Sequence, residues 1–458
     1  MNTILKRPIV NDSDFLSKFL RIAIPVTMQS FFAASLNLVD NIMVGQLGET
    51  SIAGVGLANQ FCFIMQVILF AITSAVSIFI SQFWGAKNVE NVRKALGLGL
   101  ILAGATSFLF FIAALLFPEE ILRIFSSDPS LVEAGSRFLR IISFSFMTLA
   151  ISLCFGSALR STGTIILPMM TSVLALGLNT LLNYVLIFGK FGIRPMGIEG
   201  AATATVISRL VELSVLITVT YSKKNVIAAK INELFNIQLS LVKHLISTSG
   251  AVIIKDAIWV VGISTYMIVY AKIGKEAVAA LNIVSTVRQL AYVFFNGISS
   301  ACLIMVGNQL GANCLDTAFS YSKKFLKITL VCSLVIGGLI IAVRHLILMP
   351  YNVSEEVVRD ASSTLVVYGA VFIFEVFNMV TIVGVLRSGG DIKFCIVMDM
   401  IAAWVIGLPM ALIGGLVLKL NVEWVFLMVN LQELFKFIIC IMRFYSRKWC
   451  RNIVSDIN

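Results

Sequence analysis

Residues 50–86 read TSIAGVGLANQFCFIMQVILFAITSAVSIFISQFWGA, 37 positions without a charged side chain. A helix needs about 20 apolar residues to cross the hydrocarbon of a bilayer, so this run spans one with length to spare. The alternation that a barrel strand would need is absent. A second run, 161–189, holds no charge over 29 positions. Outward from these two runs, the whole chain of 458 residues is 59% hydrophobic and only 13% charged, against about 25% charged in an ordinary soluble domain. The sequence is therefore that of an integral membrane protein. The same composition excludes a disordered chain, a secreted disulfide scaffold and a soluble multidomain enzyme. The excess of 35 Lys and Arg over 24 Asp and Glu is read as the basic bias of cytoplasmic loops, with no nucleic-acid partner implied.

Charges, Gly/Pro punctuation and length cut the chain into twelve expected membrane helices, near 19–44, 51–83, 95–117, 131–159, 164–189, 198–221, 242–270, 277–310, 325–348, 356–386, 392–418 and 424–445. The fold class is all-α and polytopic, with two pseudo-symmetric six-helix lobes. Counting Lys and Arg on alternate sides gives 21 on the side of the N-terminus and 10 on the other, with Arg209, Lys255, Arg288 and Lys436 inside helices. By the positive-inside bias, both termini are expected in the cytoplasm. The lobes are expected at 1–221 and 242–458, the second ending in a short basic tail, with 222–241 an amphipathic cytoplasmic connector. No GxxxxGK[ST] motif occurs, so energy is expected from an ion gradient or the substrate's own gradient. The first apolar segment has no short signal-peptide lead and is expected to stay as a helix.

The two lobes are related by an internal repeat. A shift of 226 aligns Gly48 with Gly274 and Ala53 with Ala279, and FAITSAVSIFISQFWGA (70–86) with NGISSACLIMVGNQLGA (296–312), identical at 6 of 17 positions. A shift of 227 aligns Leu159-Arg160-Ser161 with Leu386-Arg387-Ser388, and Gly163 with Gly390. Six helices per repeat is an even number, so both repeats enter the membrane in the same direction. That is the parallel arrangement of transporters that bind substrate at the repeat interface and work by alternating access.

The paired ISQFWGAKN and VGNQLGANC segments, ALRSTGTIILPMM with VLRSGGDIKF, and LNTLLNYVLIFG followed by MGIEGAATATVIS resemble the multidrug and toxic compound extrusion (MATE) family over nearly the whole chain. The resemblance implies a monomeric exporter, with no cofactor, that exchanges sodium ions or protons for small organic, often cationic and amphipathic, compounds across the cell membrane. Two alternatives stay open: a lipid-linked precursor flippase of the wider superfamily, and a membrane-bound enzyme, for which no nucleophile–base or metal constellation is seen.

Ionisable groups inside membrane helices are costly and mark function. Asp40 closes a charge-free run (22–39) about five residues inside the outer end of the first helix. Asn179 and Asn183 share one face of the fifth helix by their i, i+4 spacing, and Thr203 and Thr205 on the sixth lie at similar depth. A carboxylate, two amide oxygens and a hydroxyl form an oxygen cage for a hard monovalent cation, or a place to protonate a carboxylate. The resemblance assigns Asp40, Asn179, Asn183 and a sixth-helix Thr, better matched by Thr205 than Thr203, to a cation-coupling site. Some relatives carry Asp at the position of Asn183, so the choice between sodium and proton stays open.

The second half offers Glu375, with Asn378 one turn on, as an ion or substrate site; relatives place ion-coupling acids on the seventh and tenth helices. Asp256 is expected to be an interfacial charge, Asp399 to pair with a basic group such as Arg288, and Arg209 with Glu212 to satisfy each other. Pro25 and Pro409 remove helix hydrogen bonds and supply bends, Pro25 as a gating candidate. Trp259, Tyr266, Phe31, Phe32 and Phe61 are candidates to line a cation-accepting cavity. The eight scattered cysteines have no CxxC pair and read as reduced packing residues, and the two histidines have no ligand-spaced partner.

Overall fold

The computed structural model describes residues 12–236, 239–351 and 353–455; the side chains of Lys255, Asp256 and Trp259 lie outside the described residues. Among those described, secondary structure is helical throughout. The spans are α1 (Asp12–Gly45), α2 (Glu49–Gly85), α3 (Val89–Leu116), α4 (Pro129–Ile142 with Ser145–Ser161), α5 (Ile166–Phe188), α6 (Ile198–Ser222), α7 (Leu239–Ile273), α8 (Lys275–Gly311), α9 (Leu315–Leu348), α10 (Glu355–Gly389), α11 (Ile392–Val417) and α12 (Val422–Tyr445). Among the described residues ten helices are long and apolar enough to cross a membrane, and the bent α4 makes eleven. The 35-residue α7 completes the set of twelve expected from the sequence.

Three expected helices depart from uniform winding, and the one expected over 356–386 does so by ending in a π-helical stretch, Val380–Leu386. The segment expected as one helix over 131–159 bends by 52° at α4. There the hydroxyls of Ser143, Ser145 and Thr148 donate to the carbonyls of Arg140, Ile142 and Ser145 at 2.7, 2.6 and 2.7 Å. Three such back-bonds in succession compete with the amide ladder and bend the helix. Pro409 has no N–H to give to the ladder and lies between two π-helical stretches, Ile401–Gly407 and Ile413–Val417.

The repeat is visible in turn geometry. After α2, Lys87 sits at φ 59°, and after α8 Asn313 at φ 58°; the next residue's N–H donates to Phe83 O in one and Gln309 O in the other, both at 2.9 Å. The LRSxG turns behave alike, Gly163 at φ 89° and Gly390 at φ 74°. Glycine takes such left-handed geometry without a steric cost.

The chain forms two compact units, 28–249 and 250–458, the second taking α1 up to Thr27. In the first, α2 is the central helix, with Ala58, Met65, Leu69, Ala75, Ile78 and Phe83 fully buried. Its connector packs against α3: Arg93 donates to Val226 O at 3.0 Å and pairs with Glu233 at 3.1 Å, and Leu234 is buried. In the second, α8 and α10 bury Phe295, Phe372 and Tyr368. Phe15 meets Tyr321 and Phe325 edge-on at 5.1 Å each.

The basic tail after α12 is folded. Trp449 is fully buried, donates its indole N–H to Phe444 O at 3.0 Å and stacks on the Phe444 ring at 5.9 Å. Around it Arg443 forks onto Asp391 at 2.6 and 2.9 Å, and Arg447 pairs with Asp316 at 2.9 Å.

Candidate cation site and buried charge network

In unit 28–249, Asp40 of α1 faces α5 and α6. The geometry follows from helical periodicity: Asn179 and Asn183 lie one turn apart on α5, and both are buried. Asn183 Nδ2 donates to Asp40 Oδ1 at 2.5 Å and lies 3.0 Å from the Asn179 amide. The other end of the Asn179 amide lies 3.2 Å from Thr205 Oγ1, which is 3.1 Å from Ala201 O. Four of the five candidate residues therefore form one connected set.

Thr203 is the exception. Its hydroxyl donates to Glu199 O at 2.8 Å, back onto its own helix. Two residues on an α-helix are about 200° apart, so Thr203 and Thr205 cannot both face Asp40.

The Asn179 amide is satisfied with its nitrogen toward Asp40 Oδ1, at 2.9 Å; its oxygen then accepts from Thr205 N at 3.3 Å and lies 3.2 Å from Thr205 Oγ1. Asn183 Oδ1 is buried with no hydrogen-bond partner, a further oxygen available to a hard cation.

Farther along the same three helices Gln29 donates to Ser172 at 2.9 Å, Ser172 donates to Glu212 at 2.9 Å, and Arg209 donates to Glu212 at 2.8 Å. Arg209 and Glu212 thus pair as their spacing predicts.

In the second unit, Glu375 pairs with Arg288. Asn378 Nδ2 donates to Glu433 O at 2.8 Å and to Glu433 Oε2 at 2.9 Å. Lys436 pairs with Glu433 and lies 3.8 Å from Asp399. The expected Asp399–Arg288 pair is corrected here: α11 packs along α12, so Lys436 is the cation that Asp399 reaches. Glu433 escaped the sequence reading, although its i, i+3 spacing to Lys436 within an apolar helix was the available signal. Glu375 Oε2 and Asn378 Oδ1 are buried without hydrogen-bond partners.

The repeat shifts place Tyr266 opposite Asp40, Ile406 opposite Asn179, Met410 opposite Asn183 and Gln432 opposite Thr205. Tyr266 Oη lies 3.0 Å from Gln432 Oε1 and 2.9 Å from Ala403 O. The second unit has no carboxylate at the position of Asp40. Of the aromatic candidates, Tyr266 is buried, Phe31 is exposed and Phe32 lies 6.1 Å from it; Phe61 meets Phe110 at 4.9 Å with the rings tilted. The side chains of Asp256 and Trp259 fall outside the described residues. Pro25 lies inside the continuous α1, two residues before Thr27.

The MatE family model matches twice, over residues 25–185 and 252–413. The chain belongs to the MATE family. The double match starts 227 residues apart, the same displacement as the LRSxG repeat. Among similar chains are a probable multidrug resistance protein NorM of Thermotoga maritima, 24% identical over 95% of this chain and 94% of that one, and an uncharacterized transporter, YisQ, of Bacillus subtilis, 24% identical over 98% and 97%. A crystal structure of MATE in a bent conformation superposes with a TM-score of 0.86 at 19% identity, covering 95% of this chain and 96% of the other. The protein is a multi-span membrane transporter of the multidrug efflux type and not an enzyme.

Proposed function

We propose that this MATE protein is a cation-coupled antiporter that exports small organic, cationic and amphipathic compounds from the cytoplasm, with Asp40, Asn179, Asn183 and Thr205 as its coupling site. The observation that carries the reading is the pair of amides on one carboxylate inside a membrane span, with a hydroxyl against the second amide. Sodium or a proton bound at Asp40 neutralises it and favours one access state; ion release inside resets the cycle. A ligand can drive such a cycle only by binding the two states unequally.

The excess of Lys and Arg on one side supports cytoplasmic termini in the cell membrane, and the protein works as a monomer. Pro25 is the bend point of α1. Thr203 has no part in the site. Glu375 and Asn378, held by Arg288 and Glu433, belong to the substrate side of the cycle and take no coupling ion.

The test is export of a fluorescent organic cation from membrane vesicles under separately imposed sodium and pH gradients. Asp40→Asn is expected to abolish gradient-driven export. Export at the normal rate with an unchanged ion requirement would overturn the assignment.

A further inference from the structure

Arg288 lies well inside α8, which is long and apolar enough to span the membrane. Its side chain is 36% exposed while that of its partner Glu375 is 5% exposed. The remaining acids of the cluster are also withdrawn: Glu433 and Asp399 are 9% and 12% exposed, and both face Lys436. The cluster contains more acids than bases, yet its most exposed side chain is that of Arg288.

The surface around Arg288 is not one that hydrocarbon tolerates. At helical spacing along α8 stand Asn282, Ser285, Thr286, Gln289, Tyr292 and Asn296, all exposed or half-exposed. Ser285 and Thr286 donate to Asn282 O at 2.8 and 3.0 Å. Among the described residues the amides of Asn282, Gln289 and Asn296 have no hydrogen-bond partner. Unpaired amides in a membrane span face water or a polar ligand, because each would cost several kcal/mol against lipid. Leu290, 59% exposed, and Phe294, 38% exposed, stand on the opposite flank of the helix and suit lipid.

The guanidinium itself is arranged as a recognition group. It lies 5.4 Å from the centre of the Tyr292 ring, within reach of a cation–π contact. One nitrogen engages Glu375 Oε1, and Glu375 Oε2 stays unpartnered, so the pair is not the closed two-bond fork of a purely structural bridge. The repeat-equivalent position, 226 residues earlier, is Cys62, which is buried. The charge is therefore an addition to the shared scaffold.

We infer that Arg288, with the amide stripe of α8, is a recognition site for a carboxylate carried by the transported molecule, so that the preferred substrates are zwitterions with a cationic centre and a free acid. The inference rests on the export reading for its biological meaning, but its test does not require transport.

A fluorescent xanthene dye with a free carboxylate and its methyl ester differ in that one negative charge. Binding of each to the purified full-length protein in lipid-free detergent is measured by fluorescence anisotropy. The wild type is expected to bind the acid more tightly than the ester. Arg288→Gln alone would strand the buried Glu375, so the informative protein is Arg288→Gln with Glu375→Gln, a neutral pair of similar shape. It should lose at least about tenfold for the acid, equivalent to about 1.4 kcal/mol, and lose less for the ester, so that the acid preference of the wild type disappears. Equal loss of both dyes, no acid preference in the wild type, or tighter ester binding in the variant overturns the inference. The last outcome would mean that Arg288 acts as a built-in competitor for organic cations. If the acid preference holds but wild-type vesicles export neither dye under any imposed gradient, the export reading fails and the recognition site stands.

Discussion

Replacing Asn183 by Asp tests the coupling site most directly. Asn183 Nδ2 lies 2.5 Å from Asp40 Oδ1, so the substitution turns a donor into a second carboxylate oxygen at roughly the same place. Two unit negative charges about 3 Å apart repel by about 5.5 kcal/mol at an effective dielectric of about 20. A proton or sodium ion between them relieves that repulsion, so the empty state is penalised and the occupied state is not. Even if relaxation and water leave only a third of the penalty, about 1.8 kcal/mol remains, roughly twentyfold in ion affinity. Asn183→Asp is therefore expected to lower the half-saturating concentration of the coupling ion at least about tenfold, and to slow turnover because release into the cytoplasm becomes harder. The assay is export of a fluorescent cation from vesicles across graded sodium concentrations at fixed pH, and across graded pH without sodium. The series that shifts also identifies the ion. An unchanged or weakened ion requirement in both series would refute the reasoning, because it would mean that no cation sits between positions 40 and 183.

Two other perturbations separate neighbouring roles. Thr205→Val removes the hydroxyl that meets Asn179 and should weaken coupling-ion affinity several-fold, as expected for a hydrogen bond of about 1 kcal/mol; Thr203→Val removes only a bond to its own helix and should leave affinity unchanged in the same vesicle titrations. Trp449→Ala should destabilise the tail by about 3–5 kcal/mol, the usual cost of removing a buried Trp, and Trp449→Phe by about 1 kcal/mol for the lost N–H bond to Phe444. Trypsin cleavage at Lys448 and Arg451 in detergent-purified protein reads this, and equal cleavage rates in all three proteins would show that the tail is not held by its indole.

How much of this was legible in the sequence depends on whether the information is periodic or mutual. The spans were legible because the bilayer imposes a length and a polarity on each helix separately, and the repeat because turn residues such as Gly163 and Gly390 keep their left-handed geometry wherever the same turn recurs. Asp40, Asn179 and Asn183 could be gathered by depth and by i, i+4 spacing, since each quantity is counted along one helix. The choice between Thr203 and Thr205 is different. Depth makes them equal, and only the azimuth of α6 against α5 separates them, which no spacing within α6 contains. The same limit explains Asp399: its depth permits a partner on α8 or α12, and packing of α11 along α12 decides for Lys436. It also explains why Glu433 was missed, because its partner Asn378 is 55 positions away on α10. The bend in α4 fails for another reason: serine hydroxyls at 143 and 145 look like ordinary polar positions until their bonds to the preceding turn are seen. The unlegible features are therefore those set by rotation of one helix against another. In a transporter that rotation is also the variable that changes during the cycle, so Thr205, turned toward Asn179, is where coupling is expected to be most sensitive to small changes in helix azimuth.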